Sequence, residues 1–430
     1  MKKRVAIFTN FNSYLKSYSP LIIVEEQIKM FLDAGYELVV IVTEAFKAPE
    51  DSVFSMVKLA YIPNVSVSTE AVQDMSFVSD IEFLTQSLTG IVEEYKPEVI
   101  ITHDMIFLPD YVKHRLAAFA VAGKHPEIKW LNWVHSATSP GSLIEERKHF
   151  EDKYKELLGK KFPNSFLVYP NSFDIPRVAR NFGYEEDEVM VVPHSTNFCR
   201  YNDFHPLSEK IVEDNDLLDY DVIMVYPLRM DRGKQPHILL EVADACERNN
   251  MSAAVIVIDF HSTGGDKVTY REEMKQRAED LNIKLIFTSE CFEECRTESP
   301  RKMVSDFLTL SNFFVLPSMS ETYSLVAQEA LMKGNFLVLN HDFLPMRSIY
   351  GDMAIYRQFS ANIAFSGQDG EIKTEFSDRD AYFFDLACYF KYVLNTNKAI
   401  KGRTWVRKER NPKAIFNNFI EPLLYAGEDK

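Results

Sequence analysis

Two carboxylates, Glu321 and Glu329, lie with seven residues between them in the stretch FFVLPSMSETYSLVAQEALMKGN, residues 313–335. Phe313–Leu316 is a short apolar run suited to a strand buried on both faces. Residues 317–321 read as a turn, with Ser318 and Ser320 as turn and cap formers. Residues 325–333 read as a helix through Ala327, Ala330 and Leu331, stopped at Gly334. Glu321 then sits on the loop at the strand's carboxyl end, and Glu329 one to two turns into the helix. In an open α/β sheet that crevice is where ligands bind. The helix start adds free N–H groups and a positive dipole end, a place for phosphate, and a carboxylate on either side could take hydroxyls.

A second constellation lies upstream, in PLRMDRGKQP after the apolar run 221–226. Arg229 and Lys234 are five positions apart on a turn that leads into a helix. Arginine as a planar fork and lysine as a point charge would neutralise a diphosphate; a solvated loop is the alternative. His135 closes the buried-looking strand LNWVH, and His103 closes IITH before Asp104. Each is equally readable as a satisfied core or loop histidine. Asp259-Phe260-His261 and Thr263-Gly264-Gly265 follow another strand, where glycines would let the backbone approach a ligand. Of the two D-x-D triplets, Asp219-Tyr220-Asp221 precedes a strand, and Asp378-Arg379-Asp380 opens a helix, where acids suit the dipole. Neither has the setting of a metal clamp. Cys291 and Cys295 form the only close cysteine pair, with no second pair to complete a zinc site. No catalytic metal and no cofactor are expected, the cations and the helix end supplying positive charge.

The elements that would carry these groups alternate. Short apolar strands at 5–9, 37–43, 98–102, 130–134, 166–169 and 189–192 are interleaved with helices from 21, 81–95, 110–122, 145–158 and from 176. That is a Rossmann-like, doubly wound pattern. Residues 201–220 are polar, acidic and proline-bearing, and read as an inter-domain connection. Alternation restarts at 221 and runs through strands 253–258, 284–288, 313–316 and 336–339. The predicted division is 1–205, 206–400 and a tail at 401–430, basic in KGRTWVRKER and then apolar. The tail's basic run reads as a solvated helix face or, more sharply, a nucleic-acid contact. With 430 residues, 46% hydrophobic and 26% charged, the chain has the composition of a soluble globular protein of two or three domains. No run reaches a spanning length. The net charge of −15 disfavours indiscriminate binding to nucleic acid or anionic membrane. Five scattered cysteines fit reduced thiols in the cytoplasm.

The E-x7-E spacing after P-S-x-x resembles the donor-binding motif of retaining glycosyltransferases with the GT-B fold, glycosyltransferase family four above all. Arg229 and Lys234 resemble that family's G-R-x-x-x-x-K-G, with Pro227-Leu228 before the arginine and Gln235 in place of the last glycine. The resemblance implies two Rossmann-like domains facing across a cleft, with a C-terminal helix crossing back to the first. It implies an acceptor-side first domain and a second domain that binds a nucleotide-diphospho-sugar, such as a UDP- or GDP-sugar. It places Glu321 against the donor sugar and Glu329 on the ribose. Arg229, Lys234 and the backbone of Ser324, Leu325 and Val326 fall on the diphosphate. His135 is placed where it orients the sugar or supports its developing charge. Thr322, Tyr323 and Ser324 replace G-F-G or G-F-P and would narrow the sugar pocket. Residues 10–20 lack the Gly-Gly pair common after the first strand, and Pro193-His194-Ser195 stands where P-N-G is usual. The implied reaction retains configuration, with domain closure excluding water. The alternatives are a degenerate module that binds nucleotide or glycan without turnover, a nucleotide-sugar epimerase, or a phosphorylase, which would carry a pyridoxal cofactor. The acceptor (glycan, lipid, protein or modified DNA base) and the oligomeric state stay open.

Overall fold

Short runs of β-branched and aromatic residues supply the strands. The computed structural model describes residues 2–65, 75–106, 111–138, 157, 160–227, 229–259, 265–297, 299–319, 321, 323–359 and 378–427. It divides into two compact units: residues 1–195 with 412–430, and residues 196–411.

In the first unit β1 (Val5–Phe8), β2 (Leu38–Thr43), β3 (Lys58–Ile62), β4 (Val99–His103), β5 (Lys129–Trp133), β6 (Ser165–Tyr169) and β7 (Val189–Val191) form one sheet in the order β3-β2-β1-β4-β5-β6-β7. All its pairings are parallel. Side-chain alternation gives the sheet two buried faces. Ala6, Phe8, Ile100 and Trp130 pack on one side with Leu84, Leu88, Ala117 and Val121 of the helices Met75–Tyr95 and Val112–Lys124. Val5, Ile7, Ile101 and Leu131 pack on the other with Val24, Ile28 and Phe31 of the helix Ser19–Asp33. The expected helix at 145–158 lies outside the described residues apart from Leu157.

The chain's end returns to this second face. Phe416, Ile420, Leu423 and Leu424 are buried there, and Phe419 packs against it. Phe416 meets Phe31 edge-on at 5.3 Å between ring centroids. Lys129, itself buried, donates to the Leu424 and Ala426 carbonyls at 2.7 Å each, closing a helix end that favours a cation.

In the second unit β8 (Val222–Tyr226), β9 (Ala253–Val257), β10 (Lys284–Phe287), β11 (Phe313–Leu316), β12 (Phe336–Asn340) and β13 (Ala354–Arg357) lie in the order β10-β9-β8-β11-β12-β13, again parallel. Val222, Met224, Val255 and Phe313 pack with the helices Ile238–Arg248 and Arg379–Thr396, where Phe390 stacks on Phe313 at 4.0 Å. Ile223, Val225, Ile256 and Phe314 pack with Met303, Phe307, Ala327 and Ala330 on the opposite side. Each unit is therefore a doubly wound, Rossmann-like layer structure.

Two expectations need correction. Residues 201–220 are no free connection: the helix Pro206–Asp214 and the turn Leu217–Asp219 bury Ile211, Val212 and Leu217 in the second unit's core. Their acidic side chains mark only the outer face. The basic run at 401–410 is likewise neither a solvated face nor part of a tail that joins the first unit. It lies in the helix Lys398–Glu409 of the second unit. Arg407, 2% exposed, donates to the carbonyls of Leu217 (3.2 Å) and Tyr220 (2.6 Å). Arg403 reaches the Thr309 and Gly334 carbonyls, and Lys408 pairs with Asp221. These cations are occupied by backbone and carboxylate oxygens, so the run offers little charge to a polyanion. Among the described residues no helix is long and apolar enough to cross a membrane.

Charged donors to buried carbonyls are worth about 1.5–3 kcal/mol each. Urea unfolding of Arg407→Ala should therefore show a loss of about 2–3 kcal/mol, while Lys401→Ala, on the exposed side of the same helix, changes stability by less than about 0.5 kcal/mol. Equal effects would contradict this placement.

Candidate functional site

A parallel sheet that grows in both directions from one strand leaves a gap where the chain reverses its direction of winding. In the second unit that switch point is β8/β11. The two strands share a single register pair, Phe313 opposite Met224, where β8 and β9 share five. Side chains make up the pairing. At the amino end Asn312 accepts from the Ile223 amide at 3.0 Å and donates to the Asp221 carbonyl at 2.6 Å. At the carboxyl end Gln235 donates to the Pro317 carbonyl at 2.8 Å, and the Met319 amide to the Gly233 carbonyl at 2.9 Å.

These bonds hold the loop after β8 against the loop after β11, and the predicted residues lie on both. Lys234, on the turn Arg232–Lys234, places Nζ 2.6 Å from Glu321 Oε1, both side chains more than four-fifths buried. Arg229 projects outward, two-thirds exposed, with Nε 3.6 Å from Asp231. The Tyr226 hydroxyl donates to the Arg229 carbonyl, fixing the loop's backbone. Asn340, at the end of β12, donates to the Ser318 carbonyl at 3.1 Å, so three strand ends fix the turn before Glu321.

Ser324 caps the helix Leu325–Met332 in a left-handed conformation, φ 59°. Tyr350 donates to its carbonyl at 2.8 Å. Ser324 Oγ is buried without a hydrogen-bond partner among the described residues. The amides of Leu325 and Val326 open the first turn, where helical geometry leaves them without intrahelical acceptors. Glu329 is half-buried in the second turn, and its carboxylate has no partner among the described residues. Tyr323 is exposed, and Thr322 lies outside the described residues. The structure thus joins Lys234 directly to Glu321, while Arg229 pairs with Asp231 instead.

Two of the departures from the glycine pattern share a conformation. Gln235 has φ 52° and Ser324 φ 59°, the region that favours glycine. The backbone keeps the shape a glycine would give it. At Gln235 the side chain compensates by bonding across to Pro317; at Ser324 the hydroxyl has no such bond.

In the first unit the predicted His135 follows β5 and belongs to a row of three imidazoles. His103 and His135 are nearly coplanar, 6° apart, with centroids 5.5 Å apart; His135 and His194 lie 5.4 Å apart at 22°. His103 Nδ1 is 3.2 Å from His135 Nε2, and His103 Nε2 is 2.9 Å from Gln27 Oε1. Asp104, at φ 50°, accepts from the His135 amide at 2.9 Å and so anchors the loop. Burial pushes His135 down to about 4, and burial with the neighbouring imidazoles lowers His103 and His194. Neutral rings are the folded form. For His135 the contribution to stability is complete above the ordinary value of 6.5 and is lost as pH falls through about 4.

The sequence reading did not single out Gln27, Asp104 or His194 as partners of His135. The dipeptide His103-Asp104 after one strand, with His135 after the next, was the available signal; Gln27 had none. Asp259 is buried in a structural role, accepting from Arg271 at 2.8 Å and from the Ser289 hydroxyl at 2.9 Å, while most of the loop after it lies outside the described residues. None of the five cysteines is in a disulfide, and among the described residues no group of three or more His, Cys, Asp or Glu side chains could hold a metal.

Ser324→Gly removes both the left-handed strain and the orphan hydroxyl. It should raise the unfolding free energy by about 1 kcal/mol. Destabilisation by the same change, read from urea midpoints, would contradict the strained cap.

No protein-family model and no curated protein matches the chain. Similar solved structures are a glycosyltransferase from Rickettsia africae (12% identity, 99% of this chain and 98% of that one, TM-score 0.35) and HepE from Anabaena bound to UDP-glucose (12%, 98% and 99%, 0.34). Another is a UDP-N-acetylglucosamine 2-epimerase, so described, from Listeria monocytogenes (12%, 100% and 98%, 0.34). At these scores the likenesses carry no weight beyond themselves.

Proposed function

We propose that this chain is a retaining glycosyltransferase that takes a nucleotide-diphospho-sugar at the β8/β11 switch point of its second unit. The observation that carries the reading is the Lys234–Glu321 pair, held between two stitched loops next to the start of the helix Leu325–Met332. A cation, a helix amino end and a carboxylate, presented from adjacent loops, match the charge order of a sugar diphosphate. A diphosphate would compete for the Lys234 ammonium and release Glu321 to accept from sugar hydroxyls. Arg229, exposed and only loosely tied to Asp231, can swing to the same phosphates. Ser324 Oγ and the amides of Leu325 and Val326 supply further donors. Glu329, with no partner of its own, is positioned along the helix to accept from ribose hydroxyls. Tyr323 and Thr322 border the sugar.

The departing diphosphate develops negative charge as the sugar–oxygen bond breaks. Donors fixed in advance stabilise that charge without reorganisation, each worth about 2.7–4 kcal/mol. Lys234, held on its stitched loop, fills this role, and Arg229 adds its charge once it has swung from Asp231, without a metal or other cofactor. The leaving phosphate then accepts the proton of the acceptor hydroxyl attacking from the same face, so configuration is retained. In the first unit, the proposed acceptor side, His135 contacts a substrate hydroxyl. Its neutral state suits it to accept a hydrogen bond. A cytoplasmic setting fits a nucleotide-sugar donor.

One observation favours a second reading. Glu321 is already engaged by Lys234, and Ser324 fills a position where glycine would relieve strain, so a site that binds nucleotide without turnover would also look like this. Incubation with UDP-, GDP- and ADP-sugars separates the two. The transferase reading predicts that one donor raises the melting temperature, with about 2.7 kcal/mol of stabilisation at ~100 times its dissociation constant. It also predicts release of that nucleoside diphosphate, about 100-fold slower in Lys234→Ala. The sugar's anomeric configuration, followed by NMR, should be retained. Binding without release favours the module, and neither binding nor release overturns both.

A further inference from the structure

The imidazole row of the first unit has a direction. Gln27 lies on the helix Ser19–Asp33 and is 4% exposed, so its amide has no solvent to turn to. Its Oε1 is only an acceptor, and the atom facing it, His103 Nε2, must carry the proton. A neutral imidazole has one N–H, so His103 Nδ1 is then an acceptor. The atom facing that, His135 Nε2, must donate. The proton of His135 is accordingly on Nε2, and its Nδ1 carries a lone pair. That Nδ1 is buried and has no hydrogen-bond partner among the described residues.

A buried acceptor left unpaired costs about 1–3 kcal/mol. Two further constraints hold it in place. Asp104 fixes the His135 backbone, and the His194 ring lies beside it, 5.4 Å between centroids. Residues from the helix Ser19–Asp33, the end of β4 and the segment after β7 therefore surround His135, whose Nδ1 stays unpaired among the described residues. A ring serving only as core filling would need neither a fixed tautomer nor an anchored amide. Building on the transferase reading, we infer that Gln27 and His103 are positioning residues that hold His135 in the Nε2–H tautomer, so that its Nδ1 accepts a hydrogen bond from a substrate hydroxyl. Were the Gln27 amide reversed, every donor in the chain would reverse with it. His135 would then present an N–H, which repels a hydroxyl proton and suits an anion instead.

The test uses full-length protein labelled with 15N-histidine. Long-range 1H–15N spectra separate protonated from unprotonated ring nitrogens, and the His135 signals are assigned by their loss in His135→Gln. The expected result is an unprotonated Nδ1 and a protonated Nε2 in wild type, with a mixture of tautomers in Gln27→Met, which keeps the length of the side chain but lacks the acceptor. Turnover of the preferred nucleotide sugar in Gln27→Met should fall about tenfold, with nucleoside diphosphate affinity unchanged. A wild-type His135 protonated on Nδ1 overturns the inference, whether or not the variant folds. Unchanged turnover in a variant whose tautomer has shifted overturns the assignment of Nδ1 to a substrate. The wild-type tautomer is read without any donor, so a protein with the expected tautomer and no turnover contradicts the transferase reading and leaves the positioning chain supported.

Discussion

The weak backbone pairing of β8 with β11 is the constraint around which the second unit is arranged. A doubly wound sheet must part its loops at the strand where winding reverses, and here the strands themselves share one register pair. The opening is useful only if its two sides keep a fixed separation. Asn312 performs this at the amino end, lending its side-chain amide as a substitute for ladder bonds. Gln235 and Met319 perform it at the carboxyl end. Lys234 and Glu321 meet because these bonds bring their loops together. The ion pair follows from the stitched backbone, and a pair so largely buried contributes little net stability of its own, because desolvation offsets its Coulomb attraction.

The backbone conformation here is tied less to glycine than the motif pattern suggests. At Gln235 and Ser324 the chain adopts positive φ with side chains attached. Non-glycine residues in that region cost on the order of 1 kcal/mol and persist where surroundings enforce them. The surroundings are visible in both cases: a side-chain bond to Pro317 at Gln235, and Tyr350 clamping the Ser324 carbonyl. The first unit uses the same device at Asp104, whose left-handed backbone turns its carboxylate back onto the His135 amide. In each unit a strained residue in a loop that follows a strand helps to fix the groups with the chemistry.

Much of this was legible in the sequence. Central strands such as Val222–Tyr226 and Phe313–Leu316 are nearly pure apolar runs, because both faces of the sheet are covered, and they read without ambiguity. The strands Lys58–Ile62 and Ala354–Arg357 did not read, because they lie at sheet edges where Lys58 and Arg357 dilute the pattern. The acidic stretch at 201–220 looked like a connection because charge dominates its composition; the few residues that bury it, Ile211, Val212 and Leu217, are a small share of it. The basic run at 401–410 looked solvated for the same reason, whereas Arg407 is satisfied by carbonyls 187 and 190 positions away, a pairing no local pattern encodes. Among the site residues, Lys234 and Glu321 were found by spacing. Gln27 was invisible, since a glutamine in an amphipathic helix carries no signal until the fold sets it against His103.

The account's central claim is that Lys234 and the start of the helix Leu325–Met332 grip a diphosphate. Isothermal titration of the best-bound nucleoside as its mono- and its diphosphate, on wild type and on Lys234→Ala, tests it most directly. The account predicts that wild type prefers the diphosphate and that this preference falls about tenfold or more in the variant, the equivalent of about 1.4 kcal/mol lost at the second phosphate. Equal preference in the two proteins would contradict it and place the phosphates elsewhere.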